Sequence, residues 1–185
     1  MVHVRVRDAT GDDVEAIADI YGTYVNGSVV SFEETAPDGE QMLVRMLAEP
    51  RLPWLVADGD NGLLGYAYAS THRQRAAYRW SVDCSVYLKA GEVGRGVGSL
   101  LYSRLLPTLR DLGYHRAYAG IALPNDASVG FHESMGFVLV GVFEGVGYKQ
   151  GDWRDVGWWQ LFLNVAAGDD RAPQEPRPWR RSDDV

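Results

Sequence analysis

The strongest constraint in the chain is the run Asp83-Cys-Ser-Val-Tyr-Leu-Lys-Ala-Gly-Glu-Val-Gly-Arg-Gly-Val-Gly-Ser99. It reads as a strand, a glycine loop and the start of a helix. Gly94, Gly96 and Gly98 recur at every second position, which lets backbone approach a ligand closely. The opening helix offers unpaired N–H groups and the positive end of its dipole. Together these favour an anion such as a pyrophosphate, with Arg95 adding a positive charge. A P-loop would end in GK followed by Ser or Thr, whereas Gly98 precedes Ser99 and Leu100. The dinucleotide fingerprint G-x-G-x-x-G also fails, because Gly94 and Gly96 lead to Ser99, and Gly96 and Gly98 lead to Leu101. A tight strand–helix connection with no ligand is the structural alternative.

The rest of the chain places this turn in an α/β domain. His3–Arg7 alternates as a strand with Val4 and Val6 on one face, and Thr10 precedes an acidic first turn and the helical spacing Val14, Ile17, Ala18, Tyr21. Residues 22–40 carry loop composition. A second helix is predicted from Gly39 to Ala48, with Met42, Leu43, Met46 and Leu47 as its apolar stripe. Then come a hairpin (Trp54–Ala57, Leu64–Ser70), a strand Trp80–Leu88, the glycine loop, and a helix Gly98–Leu112 closed by Gly113, with Pro107 expected to kink it. A strand Arg116–Ile121, the turn Pro124–Asn125, a helix Ala127–Met135 and strands Phe137–Phe143 and Val156–Asn164 complete it. The pattern predicts a mixed β-sheet flanked by helices. Residues 1–166 read as one domain and the Pro-, Arg- and Asp-rich stretch 167–185 as a disordered tail.

Composition narrows the class. A net charge of −7 argues against nucleic acid as the main partner. No apolar run approaches a membrane span, and the alternating, charged N-terminus lacks a secretory h-region. The single cysteine, Cys84, excludes a disulfide framework and a multi-thiolate zinc site, and fits a cytoplasmic protein. His3, His72, His115 and His132 lack metal spacing, so no metal is implied.

The segment Val93-Gly-Arg-Gly-Val-Gly-Ser99, after Val86-Tyr-Leu88, resembles the acetyl-CoA pyrophosphate loop of the GNAT N-acetyltransferase superfamily. It departs from that pattern at Val93, where Arg or Gln is usual. Asn125-Asp-Ala-Ser128 and Phe131-His-Glu-Ser-Met-Gly-Phe137 resemble the family's N-x-x-S and Y-E-K-x-G-F elements, with His132 in place of the tyrosine. Residues 3–164 further resemble the branch that acetylates phosphinothricin and methionine sulfone or sulfoximine. The matching stretches are Pro53–Ala57, Tyr78-x-Trp80, Ser85–Tyr87, Leu123–Asp126 and the long Gly147–Gln160 segment.

The resemblance implies a GNAT fold with strands splayed at an acetyl-CoA site, and a cofactor held by Val86, Tyr87, Leu88, Gly94, Arg95, Gly96, Val97, Gly98, Ser99, Asn125 and Ser128. Asp83 falls where the family has its catalytic glutamate. A carboxylate near the acceptor amine can take its proton, directly or through water; the alternative for Asp83 is a strand-end carboxylate paired with an arginine such as Arg79. Strand amides around Tyr87 are expected to donate to the thioester oxygen, and His132 to protonate the leaving thiolate or to be structural. Arg75 aligns with a substrate-binding arginine of the branch, surrounded by Phe32, Tyr78 and Tyr87, with Arg73 as the competing anion partner. Cys84 should point to the strand face opposite Asp83, which speaks against an acetyl-cysteine intermediate. The resemblance also implies a homodimer, for which Trp153, Trp158 and Trp159 would supply core and interface. Two other functions fit: an acetyltransferase for another small amine (a polyamine or antibiotic), and a non-catalytic acyl-CoA sensor.

Overall fold

The computed structural model describes residues 4–164 and 173–181. After β1 (Arg5–Asp8), the Thr10 hydroxyl accepts from Asp12 N–H while the Asp13 carboxylate takes Thr10 N–H at 2.8 Å. This reciprocal cap launches a single 3₁₀ turn and then α1 (Val14–Gly27). The helix continues through residues 22–27, where composition reads as loop, because Val25 extends the buried row of Ile17 and Tyr21. α2 (Gly39–Met46) is capped reciprocally by Asp38 and Gln41; it buries Met42 and Met46 but leaves Leu47 exposed, so the stripe is narrower than expected.

The sheet comprises β2 (Trp54–Gly59), β3 (Gly62–Thr71), β4 (Ser81–Leu88), β5 (Arg116–Ala122), β6 (Val138–Lys149) and β7 (Asp152–Phe162) together with β1. Its order is β1-β2-β3-β4-β5-β7-β6, and β4–β5 is the parallel pair. α3 (Val97–Leu112) and α4 (Asp126–Ser134) cover one face. There Leu101, Leu105 and Leu109 pack on Val82, Cys84, Ala117 and Ile121. α1 and α2 cover the other, over Val56, Tyr66 and Tyr87. Two clusters at essentially zero exposure thus hold the sheet from both sides, each large apolar side chain contributing roughly 1.5–3 kcal/mol.

Two readings of the sequence are corrected. The last two strands form a hairpin reaching residues 138–162, longer than the expected strands, with register shifts between Leu139/Gly141 and Phe143/Gly147 that break the period-two pattern. Its turn uses positive φ at Gln150 (55°) and Gly151 (78°), as a tight two-residue hairpin requires. The tail also departs from disorder over residues 173–181. Arg177 N–H donates to Leu112 O at 2.7 Å, Trp80 Nε1 donates to Gln174 O at 2.9 Å, and Trp179 is buried. One tryptophan, these bonds and an ion pair between Arg79 and Glu175 supply what the tail's composition lacks. Residues 165–172 and 182–185 lie outside the described residues.

One clamp sets the α1–α2 connection over the sheet. Lys149, at the tip of β6, donates from Nζ to Val25 O (2.7 Å), Ser31 O (2.7 Å) and Glu33 O (2.9 Å). The ammonium thereby meets the last turn of α1, where the helix dipole favours a cation. Arg45 grips Glu33 bidentately at 2.7 and 2.9 Å, and Tyr21 OH donates to Glu33 as well.

Candidate active site

The pairing of β4 with β5 covers only Ser81↔Arg116 to Asp83↔Tyr118. Beyond Asp83 the strands part, since β5 follows β7 along its whole length while β4 follows β3. Lys89 N–H donates to Leu64 O of β3, and Trp80 O accepts from the start of β5. Backbone groups alternate sides along a strand, so Cys84 and Val86 turn their N–H and C=O into the parting. Tyr87 turns its own toward β3, so of the strand amides around Tyr87 the one facing the gap is that of Val86. Leu88 also faces the gap side, but Tyr24 OH donates to its carbonyl at 2.7 Å and accepts its N–H at 3.2 Å. The cleft at the parting is walled by Val30, Val86, Ala119, Gly120, Ile121 and Asn125.

From this cleft a cavity of about 530 Å³ runs to the glycine turn, bordered by Gly94, Gly96, Gly98, Ser99, Asn125, Ser128 and Phe131. Gly94 and Gly96 have φ of 79° and 83°, and a Cβ on either would project into open space. A side chain there would be strained and would stand in the cavity mouth. Gly98 serves differently: a Cβ would come within 3.2 Å of Phe131, so it seats α3 on α4. Val97 is the first residue of α3 and sits in the core, while Gly96 gives the helix no side-chain cap. The first N–H groups of α3 therefore face the cavity unpaired within the helix. Arg95 is exposed and bonded to Glu92 at 3.2 Å. Across the gap, Asn125 caps α4 by accepting Ser128 N–H at 3.1 Å.

Asp83 sits at the last paired position. Its partner is His72, with Nδ1 to Oδ1 at 2.6 Å, and Arg79 instead pairs with Glu175 of the C-terminal stretch. The register explains this: Ser70 opposes Asp83, and His72 is two residues further on the same face. The imidazole stacks on Tyr118 at 4.3 Å and meets the edges of Tyr78 and Trp158. The Arg73 guanidinium lies 5.4 Å over Trp158. Burial pushes the Asp83 carboxyl up, with the His72 hydrogen bond and the charges of His72 and Arg73 opposing it.

His132 is buried and fully engaged. Its Nδ1 lies 2.8 Å from Ser128 O, an acceptor, so Nδ1 carries the proton. The neutral ring then accepts at Nε2 from Tyr102 OH at 3.1 Å. Burial pushes its pKa down, the Ser128 bond opposing. Cys84 faces the opposite side from Asp83, buried in the core with its thiol pushed up by desolvation, and is no nucleophile there.

The expected acceptor-side residues do not all converge. Tyr78 borders His72, and the Tyr87 ring packs between Tyr21 and Tyr24 at 4.9 and 5.2 Å. Phe32 lies against Gly147, where a Cβ would clash at 2.1 Å. Arg75 heads the 76–78 turn, exposed and without a side-chain hydrogen bond to any described residue, while Arg73, over Trp158 and bonded to the His72 carbonyl, is the arginine whose charge acts on Asp83. His72, Tyr118 and Trp158 were missed; the signal for His72 was the β3–β4 register, which no local pattern carries. Among the described residues no three metal-ligating side chains converge, and no helix is long and apolar enough to cross a membrane.

Residues 6–158 match the acetyltransferase (GNAT) domain model. The chain is 38% identical over 179 residues to a phosphinothricin N-acetyltransferase of Streptomyces viridochromogenes, covering 96% of this chain and 93% of the relative. It is 33% identical over 169 residues to an L-methionine sulfoximine/L-methionine sulfone acetyltransferase of Salmonella typhimurium, covering 90% and 99%. The crystal structure of a phosphinothricin acetyltransferase from Sinorhizobium meliloti in complex with acetyl-CoA superimposes with a TM-score of 0.85 at 32% identity, covering 98% and 97%.

The Asp83 geometry has a thermal consequence. A carboxyl raised on folding favours its protonated form, so its stabilising share is present below about 3.8 and lost as pH rises through the folded-state value. Asp83→Asn, which keeps an acceptor for His72, should therefore melt above the parent at pH 7, the advantage vanishing below about pH 3.8. Calorimetry across that range checks it; a less stable variant at pH 7 contradicts it.

Proposed function

The chain belongs to the GNAT acetyltransferases and is an acetyl-CoA-dependent N-acetyltransferase, and from that premise we propose that its acceptor is the primary amine of a small amino-acid-like molecule. The acceptor class is that of phosphinothricin, methionine sulfoximine and methionine sulfone, the compounds for which the relatives are named. The observation that carries this reading is a part-buried carboxylate, Asp83, at the point where β4 leaves β5, within electrostatic reach of an arginine, Arg73. A zwitterionic acceptor has an ammonium to deprotonate and an anion to hold, and both needs are met there. Arg75 and Tyr78, on the same connection, are the further residues we assign to the acceptor's anionic group, with Phe32 at the rim.

The cavity fits acetyl-CoA. Unpaired amides of α3 and the backbone at Gly94 and Gly96 would take the pyrophosphate, with Arg95 alongside and Val97, Gly98 and Ser99 contributing main chain. The free backbone edge at Val86 would receive the pantetheine arm, between Tyr87 and Leu88 on one side and Asn125 and Ser128 on the other. Bound acetyl-CoA supplies an activated acyl group. In our reading the Asp83 centre accepts the ammonium proton, which exposes the nitrogen lone pair, and the Val86 amide polarises the thioester carbonyl. His132, neutral and bonded at both nitrogens, fixes α4 rather than delivering a proton to the thiolate. This is a direct transfer, consistent with the burial of Cys84. The retained carboxylate and arginine favour turnover over a sensor. The same arginine disfavours a polyamine acceptor.

The test is thiol release from acetyl-CoA with phosphinothricin, methionine sulfoximine, methionine sulfone, glutamate, methionine and spermidine. Turnover on the first three, reduced about 100-fold or more in Asp83→Ala, is expected. Turnover on spermidine alone would replace the acceptor class.

We also assign the chain to the cytoplasm and to a homodimer. β6 is the edge of the sheet and exposes Val138, Leu139, Val140, Val142, Phe143 and Tyr148, near Trp153. An apolar edge of that length calls for cover. Sedimentation should give twice the chain mass of 20.5 kDa; a monomer at micromolar concentration contradicts the assignment.

A further inference from the structure

We propose that His72, held by Asp83, is the group that takes the acceptor's proton, so that the base is an Asp–His dyad and not a lone carboxylate. The proposal rests on the acceptor reading above and assigns its proton step to a particular atom. An ionised Asp83 has no proton to give, so in the 2.6 Å bond His72 Nδ1 donates and Asp83 Oδ1 accepts. The neutral imidazole then presents its lone pair at Nε2, which no described residue engages by hydrogen bond. A carboxylate that fixes one nitrogen of an imidazole, orients it and stabilises the imidazolium is a general way of making a base.

The surroundings hold the ring in one place. It lies flat on Tyr118, 4.3 Å between centroids at 17°, while Tyr78 and Trp158 meet it edge-on at 6.0 Å. The side chain keeps 12% of its surface open, so it is shielded without being sealed. The polar and charged groups facing it are Asp83 from β4, Tyr118 from β5, Tyr78 from the 76–78 turn and Arg73 from its own segment. Imidazole is intrinsically a better proton acceptor near neutral pH than a carboxylate, and the ring bonded to Asp83 offers its accepting nitrogen beyond the reach of the short aspartate side chain itself.

One ammonium proton passes to His72 Nε2, giving imidazolium and a neutral amine. The amine nitrogen bonds to the thioester carbonyl carbon, and the intermediate collapses with cleavage of the C–S bond. The nitrogen then loses a second proton. Of the two protons one ends on the CoA sulfur as thiol, and the other leaves through His72 to solvent.

The experiment compares the parent with His72→Phe, which preserves a flat ring against Tyr118, and with His72→Ala, which leaves room for free imidazole. Turnover of the best amine in the panel at pH 7 should fall about 100-fold or more in both variants, in kcat, with acetyl-CoA affinity unchanged. Added imidazole should restore His72→Ala at least about tenfold and leave His72→Phe unaltered. His72→Phe within about threefold of the parent would overturn the proposal, because Asp83 then works alone. So would a His72→Ala defect that imidazole does not relieve, which would make the ring a packing element only. A parent that acetylates none of the amines overturns the acceptor reading and this proposal with it, whereas an active parent with active His72→Phe overturns this one alone.

Discussion

The site depends on the interruption of one strand pairing. β4 and β5 run parallel through Asp83 and Tyr118 and then separate, and each keeps its other neighbour in full register. Closing the sheet would satisfy the backbone of Cys84 and Val86, and leaving it open exposes amides and carbonyls at the mouth of a cavity. The opening is tolerable because the sheet is packed on both faces, the gap-side residues Cys84, Ala119 and Ile121 included. Leu101, Leu105 and Leu109 hold one side, and Ile17, Val25 and Met42 the other. The gap has a chemical direction, with the glycine turn and the N-terminus of α3 at one end and the Asp83–His72 pair at the other.

What surrounds the gap is held by charges placed for geometry. Lys149 spends its ammonium on the Val25 carbonyl at the end of α1 and on the Ser31 and Glu33 carbonyls of the α1–α2 connection, while Glu33 ties that connection to Arg45 of α2 and Tyr21 of α1. Val30, carried on that connection, walls both the cleft and the cavity. The tip of a late hairpin thus fixes an early loop. This gives the long Gly147–Gln160 segment a physical task in addition to its resemblance: it supplies Lys149 to the loop and Trp158 to the ring cluster beside His72.

The features legible in the sequence were those encoded locally. Alternate glycines, a capped helix and an apolar stripe each need only a few neighbouring residues, and the turn at Gly94 and Gly96 is where the spacing places it. The opposite facing of Asp83 and Cys84 follows from strand alternation alone, whereas the place of Asp83 at the site came from the family resemblance. What the sequence hid is non-local. The His72–Asp83 pair is a diagonal across two strands, and its register is set by the whole β3–β4 ladder. The choice of Val86 over Tyr87 as the amide facing the gap depends on the phase of that ladder, which begins at Leu64 and Lys89. The docked stretch 173–181 depends on Trp179 finding a burial site, which composition counts as one residue among many polar ones.

The central claim is that acetyl-CoA lies along the free edge of β4 with its pyrophosphate on the amides of α3. Residue-resolved amide hydrogen exchange with and without acetyl-CoA tests it most directly. The account predicts slowed exchange at Val86 and at Val97, Gly98 and Ser99, with Tyr87, already paired to β3, unchanged. Saturable acetyl-CoA binding that leaves those amides unaltered and protects another surface would contradict it.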